Sequence, residues 1–88
     1  MTYSIRLAPK AAKHIQKLDP AVRKRIRIFL EDRLGKLENP RQLGTKLVND
    51  EFWRYRIGDY RILTTIDDEQ VLVLIVEVAH RREIYGKR

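Results

Sequence analysis

Apolar positions follow a period of two in the stretches 3–7 and 53–66 and a helical period in the stretches 11–18 and 22–37. Tyr3, Ile5 and Leu7 alternate with polar neighbours until Ala8-Pro9 breaks the pattern, which predicts a first strand with those three side chains inward. Pro9 suits the first turn of a helix, and Ala11, Ala12, Ile15 and Leu18 fall on one side of a helix that ends by Asp19. His14 stands beside that stripe as a lone, partly exposed helix residue. Asp19-Pro20 then restarts the helix, Asp as N-cap and Pro in the first turn. Val22, Ile26, Phe29, Leu30, Leu34 and Leu37 describe one long apolar stripe that must lie on a sheet or another helix. Glu38-Asn39-Pro40-Arg41 ends it, and Gly44 marks a turn in the link to Asp50.

The second alternating stretch is a hairpin. Two runs of β-branched and aromatic residues flank Gly58-Asp59, which supplies a residue able to take positive φ in a two-residue turn. With Ile57 opposite Tyr60, Arg56 faces Arg61, Tyr55 faces Ile62 and Arg54 faces Leu63. Trp53, Tyr55, Ile57, Tyr60 and Ile62 then share one face, while Arg54, Arg56 and Arg61 share the other. Like charges placed directly opposite each other destabilise a sheet by up to about 1 kcal/mol per pair. Folding alone gives no reason for that cost, whereas a bound polyanion offsets it.

Asp67-Asp68-Glu69-Gln70 is a polar turn, and the run Val71 to Ala79 is almost unbroken in its apolarity, as expected of a strand covered on both faces or central in its sheet. The predicted order is β-α-α-β-β-β, an α+β fold in which a helical hairpin packs on an antiparallel sheet, with residues 1–88 as a single domain. A basic tail follows, from His80 to Arg88.

Charge adds to this picture. Nineteen Lys and Arg against twelve Asp and Glu give a formal net charge of +7 over 88 residues, which makes nucleic acid the first partner to consider, because neutralising phosphates releases counterions. The polar face of the second helix carries Arg23, Lys24, Arg25, Arg27, Arg33 and Lys36 with Glu31 and Asp32 among them. It reads as a solvated face with pairs such as Arg27 to Glu31, or as a phosphate-docking surface. The chain has no cysteine, which suits a reducing cytoplasm. No apolar run approaches the roughly 20 residues that span a bilayer, so no membrane partner is expected.

Elimination narrows the chemistry. Ser4 is the only serine and no Gly-x-Ser-x-Gly is present, so covalent acyl transfer has nothing to build on. Two isolated histidines without a carboxylate cluster argue against a metal site, and no glycine-rich loop cradles a nucleotide cofactor. RNA is cut without a protein nucleophile when its own 2′-hydroxyl attacks the adjacent phosphate. The protein must then orient that attack, stabilise the phosphorane and help protons move. Arg54, Arg56 and Arg61 offer planar, bidentate donors to phosphate oxygens, and Tyr85 offers a ring for an unstacked base. Arginine is a poor base, so His80 is the candidate for proton transfer. Simple alternation down the last strand puts Val76, Val78 and His80 on the arginine face and Arg81 on the other. A bulge or the strand end would bring Arg81 round instead.

The hairpin motif from Trp53 to Ile62, the acidic turn, the apolar strand and the close at His80-Arg81-Arg82-Glu83-Ile84-Tyr85 together resemble the RelE branch of the RelE/ParE toxin superfamily, over essentially the whole chain. The resemblance implies a RelE-like fold and the toxin of a type II toxin-antitoxin pair, a metal-independent, ribosome-dependent endoribonuclease that cuts mRNA in the A site by 2′-hydroxyl attack and so inhibits translation. It implies no cofactor, a cognate RelB-like antitoxin, and contact with operator DNA only through the antitoxin complex. By position, Arg54 and Arg56 match a basic pair assigned to activating the 2′-hydroxyl, Arg61 matches the arginine that stabilises the transition-state phosphate, Arg81 a general acid, and Tyr85 a tyrosine that stacks on the mRNA. In the best-known member the basic pair is lysine; arginine at both positions here directs attention to electrostatic activation or to His80. The alternatives are a ParE-type toxin that inhibits DNA gyrase without cutting nucleic acid, and a degenerate toxin acting mainly in operon autoregulation.

Overall fold

The computed structural model describes residues 2–47 and 51–80. Strand β1 is Ser4–Leu7, helix α1 Pro9–Gln16 and helix α2 Pro20–Ile28. They are followed by β2 (Thr45–Lys46), β3 (Trp53–Ile57), β4 (Tyr60–Asp67) and β5 (Leu72–His80). The five strands form one sheet in the order β1-β5-β4-β3-β2. The expected helical hairpin on a sheet is therefore present, with two additions. The short strand β2 pairs with β3 through Thr45 opposite Arg54 and Lys46 opposite Trp53. Strand β1 runs parallel to β5, Ile5 opposite Val73 and Leu7 opposite Ile75, so the sheet is mixed rather than wholly antiparallel. The two helices form a crossover between β1 and the rest of the sheet, and a crossover of that length permits parallel pairing.

Both faces of the predicted alternation are visible in the packing. Tyr55, Ile62, Val73, Ile75 and Val78 point toward the helices and are buried with Ala11, Ile26, Phe29, Leu30 and Leu34. Helix α1 lies along the part of β5 that extends past β1. There the Val78 N–H donates to Nδ1 of His14 at 3.3 Å, and Lys10 pairs with Glu77 at 3.5 Å. His14 thus caps a strand-edge donor that would otherwise face a helix without a partner. This role has no sequence signal, because the partner is 64 residues away.

The long second helix is not uniform. Asp19 occupies the N-cap position without a side-chain cap, and Pro20, which has no N–H to satisfy, opens α2. After Ile28 the helix widens into a π-helical turn over Phe29–Arg33 and tightens into a 3-10 turn over Leu34–Lys36. Glycine makes this junction possible. A Cβ built on Gly35 would lie 2.8 Å from the carbonyl oxygen of Leu30, a backbone atom that cannot swing aside. We expect Gly35→Ala to cost about 1–3 kcal/mol through overpacking, read as a lower urea midpoint at unchanged slope. An unchanged midpoint would mean that the junction relaxes freely.

Tyr55 anchors the other end of the core. Its ring is 1% exposed and meets Phe29 edge-on at 6.0 Å between centroids, and its hydroxyl donates to the Pro40 carbonyl at 2.7 Å. Burial pushes the phenol up to about 12. A pKa raised on folding contributes stability that is complete below the unfolded value near 10 and is lost as pH rises toward about 12. Tyr55→Phe leaves the Pro40 carbonyl without this donor, so it should cost about 1–3 kcal/mol near neutral pH. It should also flatten the alkaline limb of the stability profile. An alkaline limb unchanged in the variant would assign that limb to other groups.

Candidate active site

Period-two alternation delivers the three arginines to the sheet face turned away from the helices. The register is the one the turn predicts: Arg54 opposite Leu63, Tyr55 opposite Ile62, Arg56 opposite Arg61 and Ile57 opposite Tyr60. Gly58 carries φ of +56° and Asp59 does not share that sign, which is the pattern of a type II′ turn. Arg56 is exposed and Arg54 half-buried, whereas Arg61, on the middle strand of the sheet, is only 5% exposed. A small cleft between them is lined by Arg56, Gly58, Asp59 and Arg61. Two guanidinium groups from neighbouring strands line this cleft with the Asp59 carboxylate beside them, and each guanidinium carries paired N–H donors of the kind that match phosphate oxygens. The same groups make poor proton acceptors.

The end of β5 decides between the two arrangements that alternation leaves open, in favour of a bulge over the phase that would put His80 beside the arginines. Leu63 pairs with Glu77 but Thr64 pairs with Ile75, so Val76 is an extra residue in β5 and the strand bulges there. Beyond the bulge the alternation is reset. Val78 lies opposite Ile62 and His80 opposite Tyr60, both on the helix side of the sheet, while Glu77 and Ala79 join the arginine face. The His80 ring meets the Tyr60 ring edge-on, 5.2 Å between centroids. Simple alternation placed Val76, Val78 and His80 beside the arginines; the inserted residue moves Val78 and His80 to the opposite face. Arg81 and Tyr85 lie outside the described residues. The structure therefore places Arg54, Arg56 and Arg61 on one face of the sheet, with Arg56 and Arg61 lining one cleft, and puts His80 on the other face.

A polar clamp that the sequence pattern did not reveal holds the far end of the sheet. Asp68, in the β4–β5 turn, accepts from the Tyr3 hydroxyl at 2.6 Å and from both terminal nitrogens of Arg41 at 3.1 and 3.0 Å. The hydrogen bonds from Tyr3 and then Arg41 hold the Asp68 carboxyl below its ordinary range. The Arg41 guanidinium also lies over the Trp53 ring, 5.7 Å from its centroid. Next to it, the Asp67 side chain accepts from the backbone N–H of Glu69 and of Gln70, fixing the turn. Asp67 and Asp68 are thus turn residues, as expected, and Asp68 has a tertiary role besides. The clamp joins residues 3, 41, 53 and 68, which share no local pattern.

The family model of the ParE toxin of the type II toxin-antitoxin system, parDE, matches residues 5–85. Toxin RelG of Mycobacterium tuberculosis is 32% identical over 90 residues, spanning 99% of this chain and 100% of that protein. A chain of the RelBE2 toxin-antitoxin complex from Mycobacterium tuberculosis superimposes with a TM-score of 0.83 at 30% identity, over 92% of this chain and 93% of that one. A chain of the intact E. coli RelBE complex has the same fold, with a TM-score of 0.71 at 22% identity, over 89% of this chain and 95% of that one.

Arg56 opposing Arg61 should be a net cost to the free protein. We expect Arg56→Ala to raise stability by up to about 1 kcal/mol at low salt, and by less at high salt, where the repulsion is screened. Arg56 is the cleaner position to test, because it is exposed and gives up little packing, whereas Arg61 is buried. A lower denaturation midpoint for Arg56→Ala would remove the claim that this face is held against repulsion.

Proposed function

Because the chain belongs to the RelE/ParE family of type II toxin-antitoxin toxins, we propose that it is a ribosome-dependent endoribonuclease that cuts mRNA in the ribosomal A site and so inhibits translation. The observation that carries this reading is the Arg56–Arg61 pair, opposed across the hairpin on the face that the helices leave open. In the proposed reaction the 2′-oxygen of the substrate attacks its own 3′-phosphate. The bond from phosphorus to the 2′-oxygen forms as the bond to the 5′-oxygen breaks, leaving a 2′,3′-cyclic phosphate and a 5′-hydroxyl. Arg61, with Arg56, binds the non-bridging oxygens, whose negative charge grows as the phosphorane forms. Arg54 and Arg56 act on the 2′-hydroxyl by favouring its anion electrostatically, and its proton passes to solvent water rather than to either guanidinium. Arg81 gives a proton to the departing 5′-oxygen, and Tyr85 stacks on a base. His80 has no part in the reaction as proposed, since it stands on the other face with Tyr60.

The substrate's own hydroxyl is the nucleophile, so neither a metal nor a cofactor enters the scheme. The partners that follow are ribosomal RNA and mRNA in the cytoplasm, and a RelB-like antitoxin, in keeping with the toxin-antitoxin complexes among the related structures. Operator DNA is met only through the antitoxin complex.

The test is cleavage of mRNA bound to 70S ribosomes with an empty A site, with a no-ribosome control. Cuts should fall in the A-site codon only. Arg61→Ala and Arg81→Ala should each slow them by about 100-fold or more, and His80→Ala should cut at the wild-type rate. No cuts from folded wild-type protein would sink the nuclease reading. Gyrase supercoiling would then be assayed, because the matching family model is that of the ParE toxin.

A further inference from the structure

The basic face of α2 does not simply point into solvent; part of it turns back onto the hairpin. A cleft of about 330 Å³ between the two is lined by Arg25, Ile28, Phe29, Arg33, Arg56, Ile57 and Gly58. Three of these residues are cationic and none is acidic. Arg25 and Arg33 are exposed, and the Arg33 guanidinium lies 5.8 Å from the centroid of the Phe29 ring. The Arg25 guanidinium rests over the hairpin tip so closely that a Cβ built on Gly58 would lie 3.1 Å from its Nη2. Gly58 therefore serves twice, once for its positive φ and once for the room it leaves to Arg25. Arg56 and Gly58 also line the small cleft that contains Arg61. The two depressions share a wall.

We propose that this second cleft binds the phosphodiester backbone of single-stranded RNA next to the nucleotide held at Arg56 and Arg61, with Arg25 and Arg33 each neutralising a phosphate. The inference rests on the nuclease reading for its choice of RNA, but its chemistry is separate. A strand that leaves the Arg56–Arg61 cleft past Gly58 meets Arg25 and then Arg33. Each presents two parallel N–H donors, which fit phosphate oxygens. The apolar side chains of the cleft suit the face of a base: Ile28 is 43% exposed despite its apolarity, and covering it with a base removes apolar surface from water. Arginine 25 and 33 would then supply affinity and direction to the strand, while Arg61 supplies the chemistry. An acidic peptide also suits guanidinium groups, yet nothing in a peptide chain calls for the continuity with the Arg56–Arg61 cleft.

The experiment measures binding of a fluorescent 2′-O-methyl oligouridylate, which lacks the attacking hydroxyl, across a series of salt concentrations. Each phosphate contact with a single strand contributes about 0.7 to the slope of log K against log salt. Arg25→Ala/Arg33→Ala should therefore lower the slope by about 1.4 and weaken binding, and Arg25→Lys/Arg33→Lys should restore the slope. If the alanine pair fails to fold, Arg25→Gln/Arg33→Gln reads the same quantity. An unchanged slope in the charge-removing pair would overturn the proposal, as would loss of binding to polyglutamate with RNA binding intact. The two readings separate cleanly. Wild type that binds the oligonucleotide with the full slope but cuts nothing on the ribosome defeats the nuclease and keeps the cleft. Wild type that cuts, with a pair variant of unchanged slope, does the reverse.

Discussion

The handedness of one residue governs the rest of the molecule. Gly58 takes a positive φ, closes a two-residue turn and so fixes which residues of β3 and β4 face each other. A slip of one position would exchange the faces, sending Arg54 and Arg56 into the space now filled by Tyr55 and exposing Tyr55 and Ile57. Guanidinium groups without partners in an apolar core cost several kcal/mol each, so the alternative register is not a competitor. The same turn thus specifies the core on one side and the cationic face on the other. Neither can be altered alone.

A second constraint acts at the other edge of β4. The extra residue at Val76 lets β5 serve two partners of different phase: below it, Val73 and Ile75 join the core and align with β1, and above it Val78 does so beside α1. Without the insertion, either the lower or the upper half of β5 would turn its buried residues outward. Helix α1 takes over from β1 at this level, with His14 accepting the Val78 N–H, so the edge of β5 stays satisfied where its neighbouring strand has ended. The bulge consequently decides which residues near the end of β5 approach the arginines. It brings Ala79 opposite Arg61 and takes His80 away.

These two features differ in how legible they are. The hairpin is written locally: an apolar and cationic alternation on each side of Gly58-Asp59 gives strand, turn, register and face at once. The bulge is not, because the run from Val71 to Val78 is apolar at nearly every position, and a strand apolar on both faces carries no phase for an insertion to interrupt. The break in the second helix is hidden for a related reason, since Ile26, Phe29, Leu30 and Leu34 keep helical spacing straight through the π-helical turn, and only Gly35 signals the change. The parallel pairing of β1, the clamp of Tyr3, Arg41 and Asp68, and the burial of Arg61 depend on residues far apart in the chain. For the site, the positions of Arg54, Arg56 and Arg61 were legible; the placement of His80 was not, because it lies beyond the bulge.

The distribution of charge between the two faces also explains why arginine fits this site better than lysine would for the role proposed. Arg61 is held at 5% exposure on an interior strand with another guanidinium directly opposite. An ammonium in that position, strongly hydrated and readily deprotonated when buried, would relieve the strain by losing its proton. A guanidinium has no such exit, since its pKa is too high for burial to neutralise it. Arg56 and Arg61 therefore both stay charged in the free protein, opposite each other in a cleft that Asp59 also lines. In the proposed reaction the attraction of the two guanidinium groups for the phosphate grows as its oxygens acquire charge. Under the proposed function, a phosphate approaching the phosphorane would gain more from such a site than the ground-state diester does, and a difference of that kind is what accelerates a reaction. The folding core on the opposite face, built on Tyr55 and Ile62, is what keeps the two arginines from moving apart.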